Sequence, residues 1–180
     1  MRRSFILGLL AALGTLPGST LRQLSLDDMI RQSTMIVRGT VQPTVSQYHG
    51  STIFSHYSIQ VTETYKSPAS PATLIDFAVP GGSLNGTIQR VAGAANLNVG
   101  QDYVLFLWTS KSGLTQVIGL SQGLFSVIST SGGVPTVVRA AAAERILDSA
   151  GQPVTTNDIN MPLSALKTEI LNVLNGQSTQ

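Results

Sequence analysis

The sequence predicts a mainly β protein, a compact barrel or sandwich with a short N-terminal helix and a C-terminal amphipathic helix. Three observations carry that expectation. From Met35 onward apolar residues recur at alternate positions, the period of a half-buried strand. The runs are short and separated by turn signals, among them His49-Gly50, Asn85-Gly86 and Gly132-Gly133. Helical spacing is confined to one stretch near each end of the chain.

The first twenty residues stand apart. Arg2 and Arg3 precede an apolar run from Phe5 to Leu13, followed by small residues, the layout of a secretory signal peptide. Residues 1–20 are therefore assigned to the signal, with Gly18 and Thr20 as small residues near the cleavage point, and residues 21–176 to a single domain. The start "RRSFI" partly matches a twin-arginine signal, but an ordinary Sec signal accounts for it as well. The expected location is periplasmic or extracellular, with no stable membrane anchor once the signal is cleaved.

Charge and composition exclude several classes. The 180 residues contain 11 Lys+Arg against 9 Asp+Glu. Losing Arg2 and Arg3 balances the two signs, and no basic run remains to neutralise phosphates, so a nucleic-acid partner is disfavoured. The absence of cysteine removes thiol catalysis, zinc–cysteine sites and iron–sulfur clusters together. No cofactor is indicated.

In chain order, "LSLDDMIRQS" reads as a short helix capped by Ser25. Asp27 and Asp28 lie in its first turn, where the dipole favours anions, and Leu26, Met29 and Ile30 share a face. "MIVRGTVQPTV" then alternates, with Val37, Gly39 and Val41 on one side and a bend or sheet edge at Pro43. After the His49-Gly50 turn comes a long strand. Ile53, Tyr57, Ile59, Val61 and Tyr65 form its inner face, and Phe54, His56, Ser58, Gln60 and Thr62 its outer face. "TLIDFAVPGG" is another strand, and Asn85-Gly86 reverses the chain; the following Thr87 completes a glycosylation sequon at that turn.

The run from Tyr103 to Trp108 is the most apolar of the mature chain and reads as a central strand covered on both faces. "LTQVIGL" and "GLFSVIS" supply two more strands, and "VPTVV" follows. "RAAAAERILDSAGQPV" has helical propensity up to Gly151, although Ile146-Leu147 would also pair as a strand. "MPLSALKTEILNVLNG" is an amphipathic helix with Pro162 near its start, a stripe of Leu163, Leu166, Ile170 and Leu174, and Gly176 just past its end. The final "QSTQ" is expected to fray.

Four features invite a chemical reading. Gly119-Leu120-Ser121-Gln122-Gly123 fits the G-x-S-x-G elbow of serine hydrolases. The elbow needs a helix after the serine and a later histidine, whereas "LFSVIS" is strand-like and both histidines, His49 and His56, lie upstream. A glycine-flanked turn between strands is the simpler account of Ser121. The glycines of "VPGGSLNG" lack the Gly-Lys-Ser/Thr of a phosphate loop. His49 and His56 would approach each other across a hairpin, but without placed carboxylates they make an incomplete metal site, and solvated histidines are the expectation. Trp108 is expected to pack in the core; if exposed, it becomes the best clue to ligand binding.

The order of "STMIVRGTV", "FSHYSIQVTETYK", "ATLIDFAVPGG", "LNVGQDYVLFL" and "VIGLSQGLFSV" resembles that of a group of exported bacterial proteins of unassigned activity, over about residues 24–130. The first half is also similar to netrin-like domains, including the inhibitory domain of tissue inhibitors of metalloproteinases. The resemblance implies an OB-like β-barrel. Those inhibitors reach a protease zinc through an N-terminal cysteine and are held by disulfides; this chain has no cysteine, so that mechanism does not transfer. Gln122-Gly123-Leu124-Phe125 matches a recurring strand start in the bacterial group that carries no known catalytic role. The sequence thus points to an exported, non-enzymatic module for a protein, peptide or glycan, with Phe54, His56 and Trp108 as candidate contacts. A hydrolase acting through Ser121 and a protease inhibitor acting through an edge strand are the alternatives.

Overall fold

A computed structural model describes residues 20–42, 45–129, 132–142 and 145–176. Residues 1–19 of the expected signal segment, the expected bend at Pro43, part of the turn before Gly132, Ala143-Glu144 of the alanine tract and the last four residues, expected to fray, lie outside the described residues.

In chain order the elements are β1 (Thr20–Arg22), α1 (Leu26–Gln32), β2 (Met35–Val41), β3 (Val45–His49), β4 (Thr52–Lys66), β5 (Leu74–Pro80), β6 (Gly82–Leu84) and β7 (Thr87–Gln89). They continue with β8 (Asp102–Thr109), β9 (Thr115–Val117), β10 (Leu124–Ile128), β11 (Thr136–Arg139), β12 (Arg145–Leu147), β13 (Pro153–Val154), β14 (Ile159–Pro162) and α2 (Leu163–Leu174).

Five strands close on themselves. β2 pairs with β4, β4 with β5, β5 with β9 in parallel, β9 with β8, and β8 returns to β2. Numbered by their order in the chain, these strands run 1-2-3-5-4 around the barrel, and the single parallel contact joins the third and fifth. The protein is therefore mainly β, an OB-like barrel with one helix near each end. β10, β11 and β14 extend the sheet beyond β8, and β3 folds back on β4 as a hairpin arm.

The barrel strands separate two cores. Val37, Val41, Ile59, Phe77, Tyr103, Leu105 and Leu107 fill the interior. Ile36, Val104 and Phe106 point outward and are buried with Met29 and Ile30 of α1, Phe125 of β10, Val137 of β11, and Leu163, Leu166, Ile170 and Val173 of α2. β8 is thus buried on both faces, as its continuous apolar run predicts. Strand alternation delivers this division because successive side chains leave opposite faces.

Local chemistry fixes the connections. Ser25 and Asp28 form a reciprocal capping box at α1, with Asp28 N–H donating to Ser25 Oγ at 3.0 Å. Gly39 is the one residue type that fits its place: a Cβ there would sit 2.0 Å from the Gln60 carbonyl oxygen, beside a register shift between β2 and β4.

Tyr65, expected on the face of Ile59 and Val61, packs instead against the outer core, because the β2–β4 register shift breaks the alternation of β4. Leu174 departs from the expected stripe of α2, and the alanine tract, open between helix and strand in the sequence, takes the strand alternative. The alanine tract forms no helix over its described residues: Arg145–Leu147 pairs with β1 on one side and β13 on the other, burying Ile146. The Ala141 and Ala142 N–H groups donate instead to Asp158 Oδ1 (2.7 Å) and Thr156 Oγ1 (2.8 Å), so side chains satisfy donors that a helix would have used. In α2 the buried stripe ends on Val173, and Leu174 in the last turn is exposed. Among the described residues no helix is long and apolar enough to cross a membrane.

Candidate functional site

Outside the barrel, α1, α2 and the β10–β11–β14 extension cover one side of the wall. Among the described residues no second hydrophobic cluster covers the outer faces of the first half of β4, of β5 and of β9, although the small Ala78 between its neighbours is itself buried. Register tells which side chains share this bare face. Trp108 pairs with Gln116, Gln116 with Ala78, Ala78 with His56, and His56 with Val45 of the arm. Directly paired residues point to the same side of a sheet, so Trp108 and His56 stand on one row, three strand steps or about 14 Å apart along the wall. Phe54, two positions before His56, belongs to the same face.

The three candidate contacts are therefore brought onto one surface, with different exposures. Trp108 is 43% exposed, which overturns its expected place in the core. The cause is its position near the end of β8: Val104 and Phe106, on the same side of the strand, lie under the cover, and Trp108 lies past it. Phe54 and His56 are half-buried. On the arm, Val45, the register partner of His56, is exposed and adds apolar surface beside it, whereas Tyr48 pairs with Ile53 and points to the other side.

His56 does not stand alone in solvent. Its Nε2 lies 3.0 Å from Nε2 of His49, and the Phe54 ring meets the His49 ring edge-on at 5.3 Å. Burial, helped by the neighbouring His49, holds the His56 imidazole below its ordinary range, against the opposing pull of Asp76. Asp76 in turn accepts a 2.5 Å hydrogen bond from the Ser58 hydroxyl. The bare face is thus a mixed surface of aromatic rings, imidazoles and one carboxylate.

Ser121 lies elsewhere, in the turn between β9 and β10. The Gly123 N–H donates to the Ile118 carbonyl at 3.0 Å, closing the turn. After the turn comes strand β10, not a helix, so the element that gives a nucleophile elbow its oxyanion-binding terminus is missing. The left-handed backbone falls on Gly119 (φ 62°) and Leu120 (φ 61°), the residues before the serine. The side chain that matters here is Gln122. It is buried, donates to the Arg22 carbonyl and accepts from the Leu24 N–H, both at 2.9 Å, and so ties the segment before α1 to the turn. Its own carbonyl accepts from Arg139, whose guanidinium lies 5.2 Å above the Phe125 ring. This structural role was not legible from a glycine-flanked motif.

The covered side carries the main polar cluster. Arg38 donates to Asp102 through Nε (3.0 Å) and Nη2 (2.7 Å) and to Glu63 through Nη1 (3.1 Å). Lys167 of α2 reaches the same Glu63 carboxylate at 2.5 Å and lies over the Tyr65 ring. The Lys167 hydrogen bond holds Glu63 below the usual carboxylate range, and burial pushes the Tyr65 phenol well up. The cluster joins β2, β4, β8 and α2, which gives it a structural purpose.

Fold and surface together define the class as a cysteine-free OB-like barrel with an uncovered aromatic and imidazole face. The chain matches no protein-family model and no curated protein.

Proposed function

We propose that the chain is an exported, non-enzymatic OB-like module, akin to the bacterial group its motifs resemble, that binds a protein, peptide or glycan on the bare face around Phe54, His56 and Trp108. The observation that carries this reading is the shared register row of His56 and Trp108, with Phe54 on the same side. In barrels of this class the second and third strands, here β4 and β5, are the usual ligand-facing wall. An exposed tryptophan is suited to stacking on a sugar or a peptide side chain. The arginine-led signal layout supports export, and the balanced charge outside that segment argues against nucleic acid.

The experiment is binding to glycan and peptide arrays, and to the exported fraction, by the wild type and by the Phe54→Ala/His56→Ala double variant. Loss of the wild-type ligand in the variant supports the reading; undiminished binding removes this face as the site.

A second reading, edge-strand inhibition of a protease, is favoured by β3, which has a strand neighbour on one side only among the described residues. A protease panel separates the two. A hydrolase acting through Ser121 is tested by fluorophosphonate labelling; absence of labelling, or labelling that survives Ser121→Ala, excludes it.

A further inference from the structure

The chain contains two histidines, and the hairpin arm brings them together. His49 closes β3 and His56 stands in β4, across the turn at Gly50. Their Nε2 atoms are 3.0 Å apart, and their rings lie 5.1 Å apart at 29°. Strand pairing holds both backbones, and the Phe54 edge contact at 84° restrains the swing of the His49 ring. His49 is exposed and His56 half-buried, so solvent reaches the pair.

We propose that His49 and His56 form a two-imidazole clip for a divalent first-row transition cation, copper(II) before nickel(II) or zinc(II). Metal–nitrogen bonds of about 2.0–2.1 Å place two ligands about 2.9 Å apart at a right angle and about 3.3 Å apart at the tetrahedral angle. The observed 3.0 Å lies near the right-angle value, the geometry of tetragonal copper(II), which also heads the affinity order for imidazole ligands. In the metal-free pair one ring must donate its Nε2 proton to the other. Binding requires that ring to pass to the Nδ1–H tautomer, so that both Nε2 lone pairs turn toward one ion. Among the described residues no group of three or more His, Asp or Glu completes a cage, so the pair itself fills two positions around the ion. The site is therefore an open clip of modest affinity. It does not depend on the identity of the macromolecular ligand and stands or falls separately from it.

The test is copper(II) titration of the untagged protein near neutral pH, followed by calorimetry and electron paramagnetic resonance. The expected result is one equivalent bound with nitrogen couplings from two imidazoles, at least tenfold weaker binding in His49→Ala or His56→Ala, and no imidazole coupling in the double variant. Nickel(II) and zinc(II) are expected to bind the same pair more weakly. The chain has no other histidine, so that signature has no other source within it. His49→Asn and His56→Asn, each with its thermal midpoint measured, separate ligand loss from loosening of the arm. Equal copper affinity in the double variant would mean an adventitious ion only and would overturn the site, as would a spectrum with fewer than two imidazole nitrogens.

Discussion

On the covered side of the barrel, Ile36, Val104 and Phe106 point outward into a second core built by α1, α2, β10 and β11. On the bare side, Phe54 and His56 of β4 and Trp108 of β8 point outward with no such layer among the described residues. The contrast is sharpest within β8, where Phe106 and Trp108 are two residues apart on the same face, one fully buried and the other 43% exposed. Both are large aromatics in one apolar run. What separates them is the reach of the β10–β11 extension and α1, a long-range fact that no local window contains. The lesson is that outward-facing aromatics on this barrel divide into those that hold the fold and those left available for contact.

Phe106→Ala should have the largest effect. It empties a site packed against Phe125, with ring centroids 5.4 Å apart, and should cost about 3–5 kcal/mol by denaturant unfolding. A loss under about 1 kcal/mol would mean that the second core contributes little. Arg38→Ala comes next, at about 2 kcal/mol, because it strips the partner from Asp102, whose other carboxylate oxygen is already buried without a hydrogen bond. Equilibrium unfolding checks it, and Arg38→Lys should recover only part, since a single ammonium does not reproduce the two guanidinium donors on Asp102 Oδ2 together with the third on Glu63.

The third prediction concerns pH. Glu63 has a folded-state pKa below its ordinary value, so the unfolded chain binds its proton more readily. Its contribution is fully present above the ordinary value of 4.5 and is lost as pH falls through the lower folded value. Glu63→Gln should flatten that acidic limb by lowering the neutral-pH midpoint toward the acid value, by a small amount because the Lys167 pair is half-exposed. The smallest effect is expected at Trp108→Ala, within about 1 kcal/mol of wild type. A loss comparable to that of Phe106→Ala would erase the distinction between the two faces.

Much of this fold was legible in the chain. Alternation across β4 placed Ile53 and Ile59 inside and Phe54 and His56 outside, the unbroken run in β8 announced burial on both faces, and Ser25 marked the start of α1. These readings succeeded because each depends on near neighbours. The alanine tract stayed open between helix and strand in the same kind of reading, because what decides it is pairing of Ile146 with β13 and with β1, the latter far away in sequence. The candidate face was half legible. The period of two put Phe54 and His56 outside, and the hairpin turn allowed His49 to meet His56. The alignment of Trp108 with His56 through Gln116 and Ala78 depends on barrel closure, and closure has no local signature. Gln122 was hidden for a related reason, since its partners Arg22 and Leu24 lie about a hundred residues earlier.

The central claim is that the bare face, and not the turn at Ser121, is where this protein meets its ligand. Its most direct test is affinity for the array-identified ligand, measured side by side for wild type, Phe54→Ala/His56→Ala and Ser121→Ala, with the thermal midpoint of each. The account predicts at least a tenfold loss for the double variant at a near-native midpoint, and no change for Ser121→Ala. Full affinity in the double variant, or a loss confined to Ser121→Ala, would contradict it.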